Sequence, residues 1–533
     1  MKKPGAGWGW FLLAALSMSL GWRIRGQVGH EIGAAIAGAL GAMAIALFSG
    51  REDWRQRVHY FGMLGALGWA FGGSISYMKV IGYGHSSDSL TVLYGFAGVF
   101  LIGFLWAAMG GAGIALPAAL ESERLASLFP ALAAVFGAWF LQDVVTGWMR
   151  VVPASGGELG ARVEAAGGLA RFDGDWPQAT VAIAAVLVLA SIRRRIDLGS
   201  SLVLHLAVGW WLAFTGLVVL LGLRLNPPRG DNWAGCVGIV AGFLVFCWRH
   251  RLGSVAMAAV VTGLLGATGF CLGQMLKLAF IATGAQWGWH SVMEWIHGLF
   301  FGIAVAIAMA QMVRRGPVLD GRPLPAWTGI FSLFFLLWVI PYLNFRKSPG
   351  LWLKHLKSLP QNVFGIPMVA GFEPSKGFIG WFELLFLAFG AILVALAVRH
   401  LRRPLPVIPG SWLGKGQLLY LVLLWFVSFM SFGHVLTGLN PVVWVMQWGL
   451  AVNALACTYL VMCAPESTLP GIFPGGSPYQ GWLRRTVALG LLAAVGCTFG
   501  GWALKRALFG DTFAPYFYMD HIRFGANNTN DRR

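Results

Sequence analysis

The chain has 533 residues, of which 57% are hydrophobic and only 11% charged, and its mean hydropathy is +0.68. Water-soluble domains carry about 25% charged residues, so that class is excluded, as are disorder and fibrous repeats. The net charge of +18 is distributed as short Arg clusters between apolar runs, which reads as topology signal and contact with anionic lipid head groups, and not as a nucleic-acid surface.

A helix crossing a bilayer needs about 20 mostly apolar residues. In chain order such runs lie near 8–22, 31–49, 59–78, 92–118, 129–149, 178–192, 200–223, 232–248, 254–283, 290–312, 325–345, 376–399, 416–436, 441–463 and 484–503. The expected fold is therefore an all-α, polytopic transmembrane bundle of 14 or 15 spans, the sixth and eighth runs being short. The start, MKKPGAGWGWFLLAALSMSLGW, imitates a secretory signal but reads as a retained first helix. The polar segments are 150–176, 346–375 and the tail from 504. The six cysteines sit in apolar runs without a CxxC spacing, which argues against a disulfide framework or a zinc knuckle.

Numbering the linkers alternately puts 20 of the 39 basic residues on one side, against 6 in the short linkers of the other. By the positive-inside rule this places the amino terminus in the cytoplasm, with the bacterial-type inner membrane as the expected location.

Self-comparison points to duplication. The segments GMLGALGWAFGG (62–73), GLLGATGFCLGQ (263–274) and GLLAAVGCTFGG (490–501) echo one another, LGWRI (20–24) returns as LGLRL (221–225), and RGQ (25–27) as RGD (229–231). The implied plan is parallel 6+6+3 repeats: a six-helix unit over 1–198, a second over 199–404, and a three-helix partial unit with a polar tail over 405–533. The glycines, spaced by three or four, read as close-packing positions.

Outer helix ends hold most of the remaining polar residues. In WRIRGQVGHE, Arg23 and Arg25 have the fork geometry for a carboxylate or phosphate, and His30 and Glu31 open the next helix. The later segment RLNPPRGDNW offers Arg224, Arg229, Asp231 and Asn232, with Asp231 also placed to cap a helix. We expect Arg23, Arg25, Arg224, Arg229, Asp231 and Asn232 to bind an anion in a shared outer vestibule. The segment WHSVMEWIH puts His290, Glu294 and His297 on one helix face; together with His30 and Glu31 these are the expected proton carriers, a metal site being the weaker reading. KVIGYGHSSD adds Lys79, His85 and Asp88. Trp8, Trp10, Trp22, Trp233, Trp287, Trp289 and Trp381 read as interfacial belts.

Six-plus-six like-oriented units with basic inner linkers resemble the layout of the major facilitator transporters; the resemblance covers topology and carries over no residue. No Walker loop, GxSxG elbow, HExxH or dinucleotide fingerprint is present. The expected function is a secondary transporter or flippase for an anionic small molecule or lipid-linked anion. The alternative is a membrane-embedded transferase of glycosyl, acyl or phosphate groups with an outward-facing site. The expected partners are the lipid bilayer and an anionic substrate or lipid-linked donor, without nucleic acid.

Overall fold

The computed structural model describes residues 6–72, 75, 77–150, 174–225, 231–285, 287–315, 319–343, 374–432, 441–465 and 479–516. Among these, 84% are helical and none is in a strand. Every expected apolar run is built on a helix. The longer ones are α1 (Ala6–Val28), α2 (His30–Phe48), α4 (Val58–Phe71), α6 (Ser89–Ala119), α8 (Phe129–Arg150), α9 (Trp176–Arg193), α10 (Leu198–Ala213), α11 (Asn232–Arg249), α12 (Gly253–Ala282) and α13 (Trp289–Arg315). They continue with α14 (Ala326–Phe334), α15 (Pro374–Arg402), α16 (Trp412–Phe432), α17 (Pro441–Met462) and α18 (Tyr479–Phe509). The short helices α3 (Glu52–Arg55), α5 (Met78–Tyr83) and α7 (Ser122–Ala126) lie in linkers. Both α10 and α14 end in a wider π turn, Phe214–Leu220 and Phe335–Val339.

Twelve helices among the described residues are long and apolar enough to cross a membrane. The expected 14 or 15 spans exceed that number because α2 offers only the short apolar stretch Ile32–Phe48, α4 has 14 residues, and α1 ends in Arg23 and Arg25. These three helices are sheathed by protein and bury most of their side chains, so their composition is set by helix packing more than by lipid.

One hydrophobic core runs from Trp10 to Cys497, across the expected unit boundaries at 198 and 404. Its hub is α6, which packs against α4, α12 and α18. These are the three helices that carry the echoing glycine segments. The physical reason is visible in the contacts: a Cβ on Gly68 would lie 2.4 Å from the Met109 carbonyl oxygen, and one on Gly501 2.4 Å from the Phe96 ring. A Cβ on Gly103 of α6 would lie 2.7 Å from Phe270 of α12. Lipid offers no hydrophobic drive between helices, so close backbone approach through small residues is what holds them together.

The same device sets the register of α1 against α13. A Cβ on Gly302 would lie 2.3 Å from the Ala14 carbonyl oxygen, and one on Gly298 2.5 Å from that of Met18. Glu294 stands one turn further along the same face of α13, so it arrives opposite Arg25. The chain then reverses into α2 within one residue, Gly29, whose φ of 110° is a conformation other residues rarely adopt.

The end of the bundle that carries the linkers after α2, α6 and α13 is held by a polar latch. Arg57 donates to the carbonyls of Leu120 (2.6 Å) and Pro117 (3.3 Å), to the Ser122 hydroxyl (2.8 Å) and to Asp320 (3.4 Å). Arg55 donates to the carbonyls of Leu47 and Pro465. Arg55 and Arg57 are thus buried structural ties and do not contact lipid head groups, because their donors are taken by groups at helix ends. All six cysteines are free thiols.

Two predictions follow from these contacts. Gly68→Val drives a branched side chain into the α6 backbone and costs about 1–3 kcal/mol of overpacking; thermal unfolding in detergent should show a lower midpoint, and an unchanged midpoint refutes the contact. The Ser122 hydroxyl and amide, with Arg57, hold the Asp320 carboxyl below its ordinary range. A depressed folded-state value stabilises above the unfolded carboxylate value of about 3.9 and is lost as pH falls through the folded one. Acid should therefore lower the midpoint of the native chain more than that of Asp320→Asn, whose curve should be flatter below about pH 4.

Candidate functional site

At the opposite end, α1, the turn before α5, α12 and α13 enclose a buried charged centre. Arg25 Nη2 donates to Glu294 Oε1 at 2.6 Å and also to the Tyr77 hydroxyl. The Tyr77 hydroxyl donates to the same carboxylate oxygen at 3.1 Å. His290 Nε2 lies 3.6 Å from that oxygen, one turn back on α13. Arg25 is 2% exposed and Glu294 4%, so neither charge meets water. A Cβ on Gly26 would fall 2.0 Å from Glu294 Oε2, so the carboxylate occupies the space that glycine leaves.

Aromatic faces wrap the guanidinium. Its carbon sits 4.9 Å from the ring centres of Trp22 and Tyr77 and 5.5 Å from Trp106. Trp22 in turn meets Trp106 and Phe301 edge-on at 4.9 and 4.7 Å. Negative ring faces stabilise a desolvated cation, and the cage fixes the fork that meets Glu294. The belt reading is corrected here for two tryptophans: Trp22 is fully buried around Arg25, and Trp10 is buried with its indole N–H on the Ala306 carbonyl. Trp8 and Trp287 remain exposed.

Further polar groups surround this pair. Arg23, 9% exposed, and Lys277, 2% exposed, lie within electrostatic reach of Glu294. His297 does not join its helix neighbours in the pair: its ring packs 3.9 Å from that of Phe270, and neither ring nitrogen has a hydrogen-bond partner among the described residues. His85 is fully buried and stacks on Tyr516 at 4.6 Å.

The second expected set forms a different arrangement. Arg224 Nε lies 3.4 Å from Asp231 Oδ1, and Asn232 Oδ1 accepts from the Asp175 amide at 2.6 Å. Asp231 precedes α11 without a side-chain capping bond, so the capping role is replaced by an ion pair. Arg229 and the side chains of His30 and Glu31 lie outside the described residues, as does the side chain of Trp381. Asp88 caps α6, accepting from the Thr91 amide and hydroxyl at 2.7 Å each. Among the described residues no three His, Cys, Asp or Glu side chains converge as metal ligands.

Sequence reasoning found Arg25, Glu294 and His290 but missed Tyr77, Gln274, Lys277 and Tyr516. Lys277 and Gln274 had an available signal, since both interrupt the apolar run 254–283, and an ionisable group inside a span defaults to function. Tyr77 and Tyr516 had none.

No family model, curated protein or solved structure matches the chain. The twelve apolar helices among its described residues make it a multi-pass integral membrane protein.

Breaking a buried ion pair by removing one partner costs about 3–5 kcal/mol, whereas replacing both by apolar groups is often neutral. Arg25→Met and Glu294→Leu should each lower the unfolding midpoint sharply, and the double variant should recover most of the loss. A double variant no more stable than the worse single one would show that the two side chains are not coupled.

Proposed function

We propose that the chain is a proton-coupled secondary transporter or flippase for an anionic small molecule or lipid-linked anion, with its binding centre near the outward ends of α1, α12 and α13. What supports this reading is one observation: three buried cations, Arg23, Arg25 and Lys277, gather around a single carboxylate, Glu294. Buried charge seeks compensation, and such a centre favours an entering anion.

The contacts suggest how binding and proton uptake exchange. The Arg25 fork holds Glu294 in the empty state. An arriving carboxylate or phosphate competes for that fork, since guanidinium binds both bidentately. Glu294, released, takes a proton, and His290 at 3.6 Å is placed to deliver it. The anion and the proton then travel together, and no charge is left bare at membrane depth. Arg224, Arg229, Asp231 and Asn232 form the outer approach in this reading, and His30, Glu31 and His297 extend the proton path. The amino terminus lies on the cytoplasmic side of a bacterial-type inner membrane.

A specific observation favours a second reading, a membrane-embedded transferase acting on a lipid-linked donor: the charged centre sits toward one end of the helices, where a head group is reached. Both readings meet in one experiment. The purified protein is reconstituted in liposomes with an entrapped proton-sensitive dye and offered a panel of organic acids. Acid-dependent proton entry, lost in Glu294→Gln while the variant remains folded, is the expected result. Consumption of donor lipid without flux of acid or proton would remove the transport reading.

A further inference from the structure

Lys277 differs from the buried Arg25 and Arg57. Arg25 is answered by Glu294 at 2.6 Å, and Arg57 by carbonyls and Asp320. The Lys277 ammonium is 2% exposed and has no hydrogen-bond partner among the described residues. An ammonium carries three donors, and burying it unanswered is costly. Its nearest counterpart is a ring face: Nζ stands 3.7 Å from the centre of Tyr516.

The groups beside it have unused capacity of the same kind. Gln274, one turn earlier on α12 and 1% exposed, carries two amide N–H donors on Nε2, whose contact with the Ile81 carbonyl is a long 3.5 Å. A Cβ on Gly84 would lie 3.4 Å from that Nε2, which brings the amide beside the residue preceding His85. His85 has neither ring nitrogen bonded among the described residues, and it interacts electrostatically with Lys277. Ammonium, amide and imidazole all supply N–H donors, and Glu294, the carboxylate that acts on Lys277 electrostatically among the described residues, is already held by Arg25.

Tyr516 comes from a strap that folds back after α18. Lys505 Nζ fixes the strap by donating to the carbonyls of Gly510 (3.0 Å) and Thr512 (2.7 Å), and the Ala514 amide donates to the His85 carbonyl at 2.9 Å. The ring then lies two residues past the last of these anchors, half-buried, stacked on His85 and over Lys277.

We propose that Lys277, Gln274 and His85 form an oxyanion subsite for a phosphate or carboxylate group, and that the Tyr516 ring covers it until the anion displaces it. This rests on the anion-handling reading above and adds, beside the Arg25 fork, a second cation that meets the cargo. A cation–π contact fills the place of a charge-assisted hydrogen bond, the stronger of the two for a desolvated ammonium.

The test uses the full chain in detergent, with inorganic phosphate and dihexanoyl phosphatidic acid as probes and sodium chloride at matched ionic strength as control. The unfolding midpoint is followed against probe concentration, since a ligand that binds only the native state raises it. One or both probes should stabilise the native chain; phosphate alone indicates a soluble anion, and phosphatidic acid alone a lipid head group. Lys277→Met should weaken that response by about tenfold or more, as loss of a charge-assisted bond implies. Tyr516→Ala, which removes the cover, should strengthen it, and this variant decides the matter if Lys277→Met fails to fold. Asp520, four residues after Tyr516 in the sequence, is a carboxylate of the chain itself, and Asp520→Asn should respond as the native chain does. No response to either probe, an undiminished response in Lys277→Met, a weaker one in Tyr516→Ala, or a stronger one in Asp520→Asn would each overturn the subsite, the last by showing that the chain's own carboxylate fills it. Flux in liposomes is scored separately. Transport without Lys277-dependent binding removes the subsite alone, and Lys277-dependent binding without transport removes the transporter reading alone.

Discussion

The ion pair between Arg25 and Glu294 is the constraint on which the rest of the charged centre depends. Two buried charges survive together because each answers the other and because the Tyr77 hydroxyl and the faces of Trp22, Tyr77 and Trp106 complete the shell. Their meeting is prepared by glycine. Gly298 and Gly302 let α13 lie against the backbone of α1, and Gly26 leaves room for the carboxylate itself. Small residues thus act at a distance from the chemistry, by fixing which turn of one helix faces which turn of the next.

The two ends of the bundle use polar residues differently. At the latch end, Arg55 and Arg57 spend their donors on helix-terminal carbonyls, which ties the linkers together. At the other end the matching is incomplete, since His85, His297, Gln274 and Lys277 keep buried polar atoms without partners among the described residues.

The helical class and the position of every apolar run were legible in the sequence, because hydropathy in a bilayer is a direct statement about solvent. The functional pair was half legible. The i, i+4 spacing of His290 and Glu294 predicted their shared face, and the two arginines of WRIRG stood out by charge. That Arg25 meets Glu294 was not legible, since the residues are far apart in sequence and their register is set by glycine contacts that no local pattern reveals. His297, at i+7, lies on the same face but two turns away, beside Phe270 and Gly273. Interfacial placement failed for Trp22 because its position near a helix end says nothing of whether lipid or protein covers it.

The hub position of α6 bears on how the chain is made. This helix is among the most apolar of the spans, yet 89% of its most apolar stretch is buried inside the protein. Two of its neighbours, α12 and α18, are synthesised long after it, so during translation its glycine-lined faces stand in lipid. High hydropathy keeps the unaccompanied helix in the bilayer during that wait, and the exposed glycines reserve the docking positions. Biogenesis would then be paced by the arrival of α12, with membrane chaperones or premature self-association competing for α6 in the interval.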